Sequence, residues 1–123
     1  PAERSAWPRC ATSCTRRCRH AGRASPTVDV APGSTEYLPN IVHVLVDALE
    51  SETLILRFDM RGFGVSGGSA CSSHSLEPSH VLRAVGIGDD AAHGALRISM
   101  GRYTTEADID NFIAAVGPVL DWE

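Results

Sequence analysis

Apolar residues gather in a few short stretches, separated by Gly, Pro and small polar residues. Ile41-Val42-His43-Val44-Leu45-Val46 is short and β-branched, with Leu38-Pro39-Asn40 as its lead-in, and predicts a strand. From Glu50 to Met60 the period is ambiguous. Leu54, Ile55 and Phe58 fall at i, i+1 and i+4 while Glu50, Glu52 and Arg57 take the wetter side, which favours a helix ended by Gly62. A run of tiny residues from Gly64 to Ser75 reads as a loop. Pro78 then opens a short helix to Val85, with Gly86 just beyond its end. Ala95 to Met100 predicts a second strand. The last helix has the clearest start, Thr105-Glu106-Ala107-Asp108, an Asp variant of the capping box. Ile109, Phe112, Ile113, Val116 and Leu120 follow it at helical spacing, and Gly117-Pro118 should weaken its last turn.

Strand, helix, loop, helix, strand, helix is the order of an α+β fold. The expectation is a small layered domain with about three strands and helices on one face. A core of this size is modest and would leave a broad apolar side uncovered without a partner domain. No apolar run approaches the roughly 20 residues that span a bilayer, so no membrane helix is expected. The Arg- and Cys-rich opening is not a secretory signal.

Charge divides the chain. The net charge is −4, yet residues 1–26 hold six Arg against Glu3 for +5, and the remainder sums to −9. The basic part has no apolar period and Trp7 as its only large apolar side chain. It should not bury enough surface to offset ordering its backbone, about 1–2 kcal/mol per residue. The expected organisation is an unstructured head, 1–26, and a folded domain, 27–123. An out-of-frame stretch upstream of Thr27 would give the head the same appearance. All eleven basic residues are Arg. With no lysine ε-amine, these residues cannot form an imine with a carbonyl compound by themselves.

Four constellations could carry chemistry. Cys71 sits in the small-residue loop, where nothing nearby could bury it, and His74 and His80 are close enough in sequence to lower its pKa when protonated. An inert exposed thiol is the plain alternative. Gly62-Phe63-Gly64-Val65-Ser66-Gly67 matches a dinucleotide fingerprint with Asp89 and Asp90 downstream, but no helical pattern opens after the last Gly, and a flexible loop is the better reading. Cys10, Cys14 and Cys18, with His20, could supply four zinc ligands. Their spacing is unlike common zinc knuckles, so they are weak metal candidates, and nucleic acid contact by the surrounding Arg is not favoured. A Ser/His hydrolase triad lacks the GxSxG elbow.

From Leu38 to Leu120 the residues resemble a known family. Leu38-Pro39-Asn40, Gly67-Gly68-Ser69-Ala70-Cys71-Ser72-Ser73, Ser75-Leu76-Glu77-Pro78-Ser79-His80-Val81-Leu82 and Leu96-Arg97-Ile98-Ser99-Met100-Gly101-Arg102-Tyr103-Thr104-Thr105-Glu106 run in order. They are similar to the carboxy-terminal small domain of cysteine desulfurases, the NifS/IscS-like branch of the class V aminotransferase fold. The match covers about two-thirds of the chain and omits the head.

That resemblance implies a fold-type I small domain and pyridoxal phosphate as cofactor. Its substrate would be L-cysteine, and Cys71 would be the nucleophile that takes up sulfur as a persulfide while alanine leaves. Arg97 would clamp the substrate carboxylate with its bidentate fork. The Gly/Ser loop would let the thiol swing between cofactor and acceptor. The implied partners are a sulfur acceptor or iron–sulfur scaffold, the large domain and a homodimer mate, in the cytoplasm. Products would feed iron–sulfur clusters or thiolated tRNA. His74 stands where the family has a small residue, and either tunes Cys71 or hinders the loop. The family's lysine-bearing large domain is not among these residues, so the chain alone is expected to be inactive. The alternative, from another class, is a non-enzymatic persulfide carrier or interaction module with a metal-binding head.

Overall fold

A computed structural model describes residues 12–13, 16, 23–28, 31, 34, 36–68, 77 and 79–121. Its sheet has three antiparallel strands, β1 (Ala24–Pro26), β2 (Ile41–Val46) and β3 (Ala95–Ser99), with β2 in the middle. Helices α1 (Ser51–Asp59), α2 (His80–Ala84), α3 (Asp89–Ala92) and α4 (Glu106–Leu120) complete it.

Alternation along β2 sorts the sheet into two faces. Val42, Val44 and Val46 meet Ile98, Leu96 and Ala24 on one face, where all six are buried. α1 and α4 cover this face, as the apolar spacing predicts. Leu54 and Phe58, one turn apart, are the buried residues of α1. On α4 the predicted stripe Ile109, Phe112, Val116 and Leu120 is buried, joined by Ala115 and Val119, and Ile113 packs at its margin. Phe112 is the hub. It stacks on Phe58 with centroids 4.9 Å apart and meets Phe63 edge-on at 5.4 Å. Arg57 Nη1 donates to the Val119 carbonyl at 2.9 Å, tying the two helices together near their ends. α4 runs through Pro118 to Leu120. In addition, the short helices α2 and α3 reach the opposite face, where Leu82 and Ala92 pack with Leu45 and Ala95.

Helix ends follow local chemistry. α1 is held at its start by Ser51, whose N–H donates to the His93 carbonyl at 2.8 Å and whose Oγ donates to Ala95 at 2.6 Å. It stops at a turn with Gly62 at φ +85°, a conformation only glycine adopts without strain. α2 begins two residues later than Pro78, because the Ser79 side chain caps it by accepting the Val81 N–H. The capping box of α4 is complete. The Asp108 carboxylate accepts the Thr105 N–H at 2.8 Å, and Thr105 Oγ1 accepts the Asp108 N–H at 3.2 Å.

The Thr105 N–H, and after it the Thr105 hydroxyl, donate to the Asp108 carboxylate and hold its pKa below the usual value of 3.8. A carboxylate with a depressed folded pKa contributes stability above the unfolded value, and loses it as pH falls through the folded one. Urea titrations of Asp108→Asn should therefore show a loss at neutral pH that closes as pH drops below the ordinary carboxylate range. An equal loss at both ends would refute the cap's ionic part.

The charge step at Ser25-Pro26 falls within β1, so the sheet includes residues on both sides of it; Ala24 is buried, and the Asp47 N–H donates to the Arg23 carbonyl at 2.6 Å. Three residues of Ala-Ser-Pro are too few to show alternation, and backbone pairing holds them instead. Thr12, Ser13 and Arg16 are helical; the other residues of the head up to Gly22 lie outside the described residues.

Gly94 is the tightest glycine among the described residues. A Cβ there would lie 1.9 Å from the Val46 carbonyl oxygen and 3.0 Å from that of Leu49. Backbone must shift to admit it. Gly94→Ala should cost about 1–3 kcal/mol by overpacking, read as a lower urea midpoint at unchanged slope.

Candidate active-site face

The face of the sheet away from α1 and α4 carries the polar groups. Alternation places Ser25 and Thr27 there from the β1 side, His43 from β2 and Arg97 from β3. The register pairs His43 directly with Arg97. Thr27 extends the β1 ladder by donating its N–H to the His43 carbonyl at 3.1 Å, and its Oγ1 hydrogen-bonds His43 Nδ1. Leu45 and Ala95, farther along the same face, are covered by α2 and α3. His43 and Arg97 remain half-buried.

Arg97 has a second backbone neighbour. After the Gly62 turn the chain runs back along the outer edge of β3, and Ser66 forms an antiparallel bridge with Arg97. The Arg97 N–H donates to Ser66 at 2.6 Å and the Ser66 N–H to Arg97 at 3.1 Å. Because these groups point outward to Ser66, His43 and Arg97 form a non-hydrogen-bonded pair across β2 and β3, the kind with the closer side chains. Among the described residues the guanidinium has no hydrogen-bond or ion-pair partner.

The start of the small-residue loop is therefore anchored, where composition alone reads as flexible. Ser66 Oγ donates to the Gly68 carbonyl at 2.9 Å, and Gly67 passes so close to α1 that a Cβ would sit 2.8 Å from Ser51 Cβ. No side chain fits at Gly67, which explains a glycine there better than phosphate binding does. Residues 69–76, where the helix of a dinucleotide fingerprint would open, lie outside the described residues.

Cys71 and His74 lie outside the described residues, as do Cys10, Cys14, Cys18 and His20. His80 is the first residue of α2 and is exposed. Among the described residues no cluster of His, Cys, Asp or Glu could hold a metal ion. No described helix is long and apolar enough to cross a membrane. The structure brings together Arg97 and the root of the Cys71 loop, and adds His43 and Thr27. Sequence reading registered His43 only as a strand residue. Its polar side chain amid β-branched neighbours was the available signal, but its pairing with Arg97 depends on a register that the sequence does not display.

Burial, and then the nearby Arg97 charge, hold His43 below its usual 6.5. The folded protein keeps the ring neutral to lower pH than the unfolded chain does. Stability from this source is present above the ordinary histidine range and is lost as pH falls through the folded value.

A cofactor bound as an aldehyde imine needs a lysine, and these 123 residues contain none. The described residues thus do not by themselves fit pyridoxal phosphate; what they offer is an unpartnered guanidinium beside an imidazole.

Comparison with known proteins identifies the family. The Aminotransferase class-V family profile matches residues 11–112. A cysteine desulfurase of Klebsiella pneumoniae is 42% identical over 106 residues, 85% of this chain and 27% of that protein. The cysteine desulfurase NifS of Azotobacter vinelandii is 47% identical over 83 residues, 68% of this chain and 21% of its own length. A solved NifS-like protein superposes with a TM-score of 0.74 at 24% identity, covering 94% of this chain and 27% of that one, and so shares the fold. The chain spans about a quarter of the length of these relatives. With a family match over most of its residues, the chain belongs to the aminotransferase class-V family.

Proposed function

We propose that the chain is the sulfur-accepting portion of a cysteine desulfurase. The observation that carries this reading is Arg97, half-buried and without a side-chain partner among the described residues, bridged through its backbone to Ser66, five residues before Cys71. A guanidinium in that state suits a substrate carboxylate, which it can grip with two charge-assisted bonds. The thiolate of Cys71 attacks the sulfur of L-cysteine. An S–S bond forms, the C–S bond breaks with its electron pair left on carbon, and protonation of that carbon gives alanine. Sulfur is oxidised to the persulfide level and carbon is reduced, so no outside oxidant is needed. Pyridoxal phosphate, when bound by the family's lysine-bearing domain, supplies the electron sink. His74 and His80 are the nearby groups that could tune the thiol. By the same reading the acceptor is a sulfur-carrier or iron–sulfur scaffold protein, and the location is cytoplasmic.

The test is a chimera in which this chain replaces the matching 106 residues of the Klebsiella pneumoniae relative. It should release alanine from L-cysteine and lose that activity with Cys71→Ser. The 123-residue chain with added pyridoxal phosphate should release none. A folded, cofactor-loaded chimera without alanine release would overturn the reading. Turnover by the chain alone would overturn the need for a lysine.

A further inference from the structure

Beside Arg97 stands a second group able to meet an anion. We propose that His43 is a specificity residue of the carboxylate subsite, contacting the bound carboxylate through Nε2 while Thr27 holds Nδ1. The proposal rests on the reading of Arg97 as the carboxylate clamp and adds to it a residue on a different strand.

The geometry supports this in three steps. His43 and Arg97 are direct cross-strand partners on one face of the sheet, so both side chains rise from the same patch. Thr27, from the β1 side, engages Nδ1, leaving Nε2 as the ring nitrogen without a partner among the described residues. With the Thr27 hydroxyl as donor, the neutral imidazole carries its proton on Nε2 and presents it as a donor. A carboxylate has two oxygens and about four lone-pair directions, enough for a guanidinium on one side and an imidazole N–H on the other.

The surroundings favour the neutral ring while the site is empty. Arg97 is the charged group facing His43 from β3, and the β1 side offers the uncharged Ser25 and Thr27. On α2, which packs farther along this face, His80 and Arg83 are exposed, and Arg83 pairs with Asp89 at 2.8 Å. A bound carboxylate cancels the Arg97 field at His43 and adds a negative partner. Both changes favour protonation of the ring, so by linkage carboxylate binding takes up a proton and tightens as pH falls.

The experiment uses the full chain and acetate as probe, with chloride at equal ionic strength as control. Ring and guanidinium resonances are followed by NMR between about pH 8 and pH 5.5, the range in which histidines titrate. Acetate should shift the Arg97 Nε–H signal and raise the titration midpoint of His43. Its affinity should increase toward acid. His43→Asn, whose amide replaces only the Nδ1 side, should weaken acetate binding about tenfold or more and flatten its pH dependence. His43→Gln, whose amide reaches the Nε2 position, should restore most of the affinity with no pH dependence. A merely structural histidine predicts neither result. Acetate that reaches Arg97 but leaves the His43 midpoint and the His43→Asn affinity unchanged overturns the role of His43 and leaves the clamp standing. Acetate that fails to touch Arg97 overturns the clamp, and this inference with it. Where a variant loses its dispersed amide spectrum, the midpoint shift in the parent protein decides.

Discussion

Replacing Phe58 by alanine should remove about 3–5 kcal/mol of folding stability, the range found when a buried Phe is truncated in a core. The residue is 1% exposed and stacks at 4.9 Å on Phe112, which in turn meets Phe63. Truncation would leave a void between α1 and α4, bounded by residues that cannot collapse without pulling helices off the sheet. Domains of this size hold only about 5–15 kcal/mol in total, so the variant should sit near the edge of folding at ambient temperature. Urea denaturation followed by far-UV circular dichroism measures the effect. Phe58→Leu, which keeps most of the volume, should cost far less. A loss below about 1 kcal/mol for the alanine variant would show that the stacked rings are not the centre of the core.

The second large effect is on chemistry. In the chimera, the proposed carboxylate clamp requires Arg97→Gln to lower kcat/KM for L-cysteine on the order of a hundred- to a thousandfold, the loss expected for two charge-assisted bonds. Arg97→Lys keeps the charge but loses the planar fork, so it should recover only part of the deficit. Cysteine labelling separates this from damage to the nucleophile: the Cys71 thiol should react with a small alkylating agent at about the parent rate in Arg97→Gln. An unchanged kcat/KM would show that the half-buried guanidinium has a structural task and that the carboxylate is held elsewhere.

Much of the frame was legible in the residues. Leu54 and Phe58, and the stripe from Ile109 to Leu120, each keep one face of a helix apolar, and the structure buries those faces. The Thr105–Asp108 box closes as its spacing requires, because a capping box is a contact within one turn. What depended on distant parts of the chain was not legible. β1 is three small residues fixed by pairing with Val44, Leu45 and Val46, and no local pattern announces it. α3 is four residues long and is set by its contact with the sheet rather than by a period of its own. The Gly64–Gly68 segment looks mobile by composition, yet the Ser66 bridge and the close approach of Gly67 to Ser51 hold it. Likewise the motif singles out Arg97, but the pairing of Arg97 with His43 is not legible, because alignment of two strands far apart in sequence is a property of the folded sheet.

Under the proposed function, the bridge between Ser66 and Arg97 bears on how sulfur is handed on. It fixes a point at the edge of β3, and Gly68, three residues before Cys71, is tied to it through Ser66. Three residues of fully extended chain measure about 10 Å, so the tether confines the Cys71 backbone within that radius of Gly68 whatever else the loop does. On the proposed function, an acceptor must bring its own thiol within reach of that arc, so lengthening the leash by inserted glycines should widen the range of acceptors served.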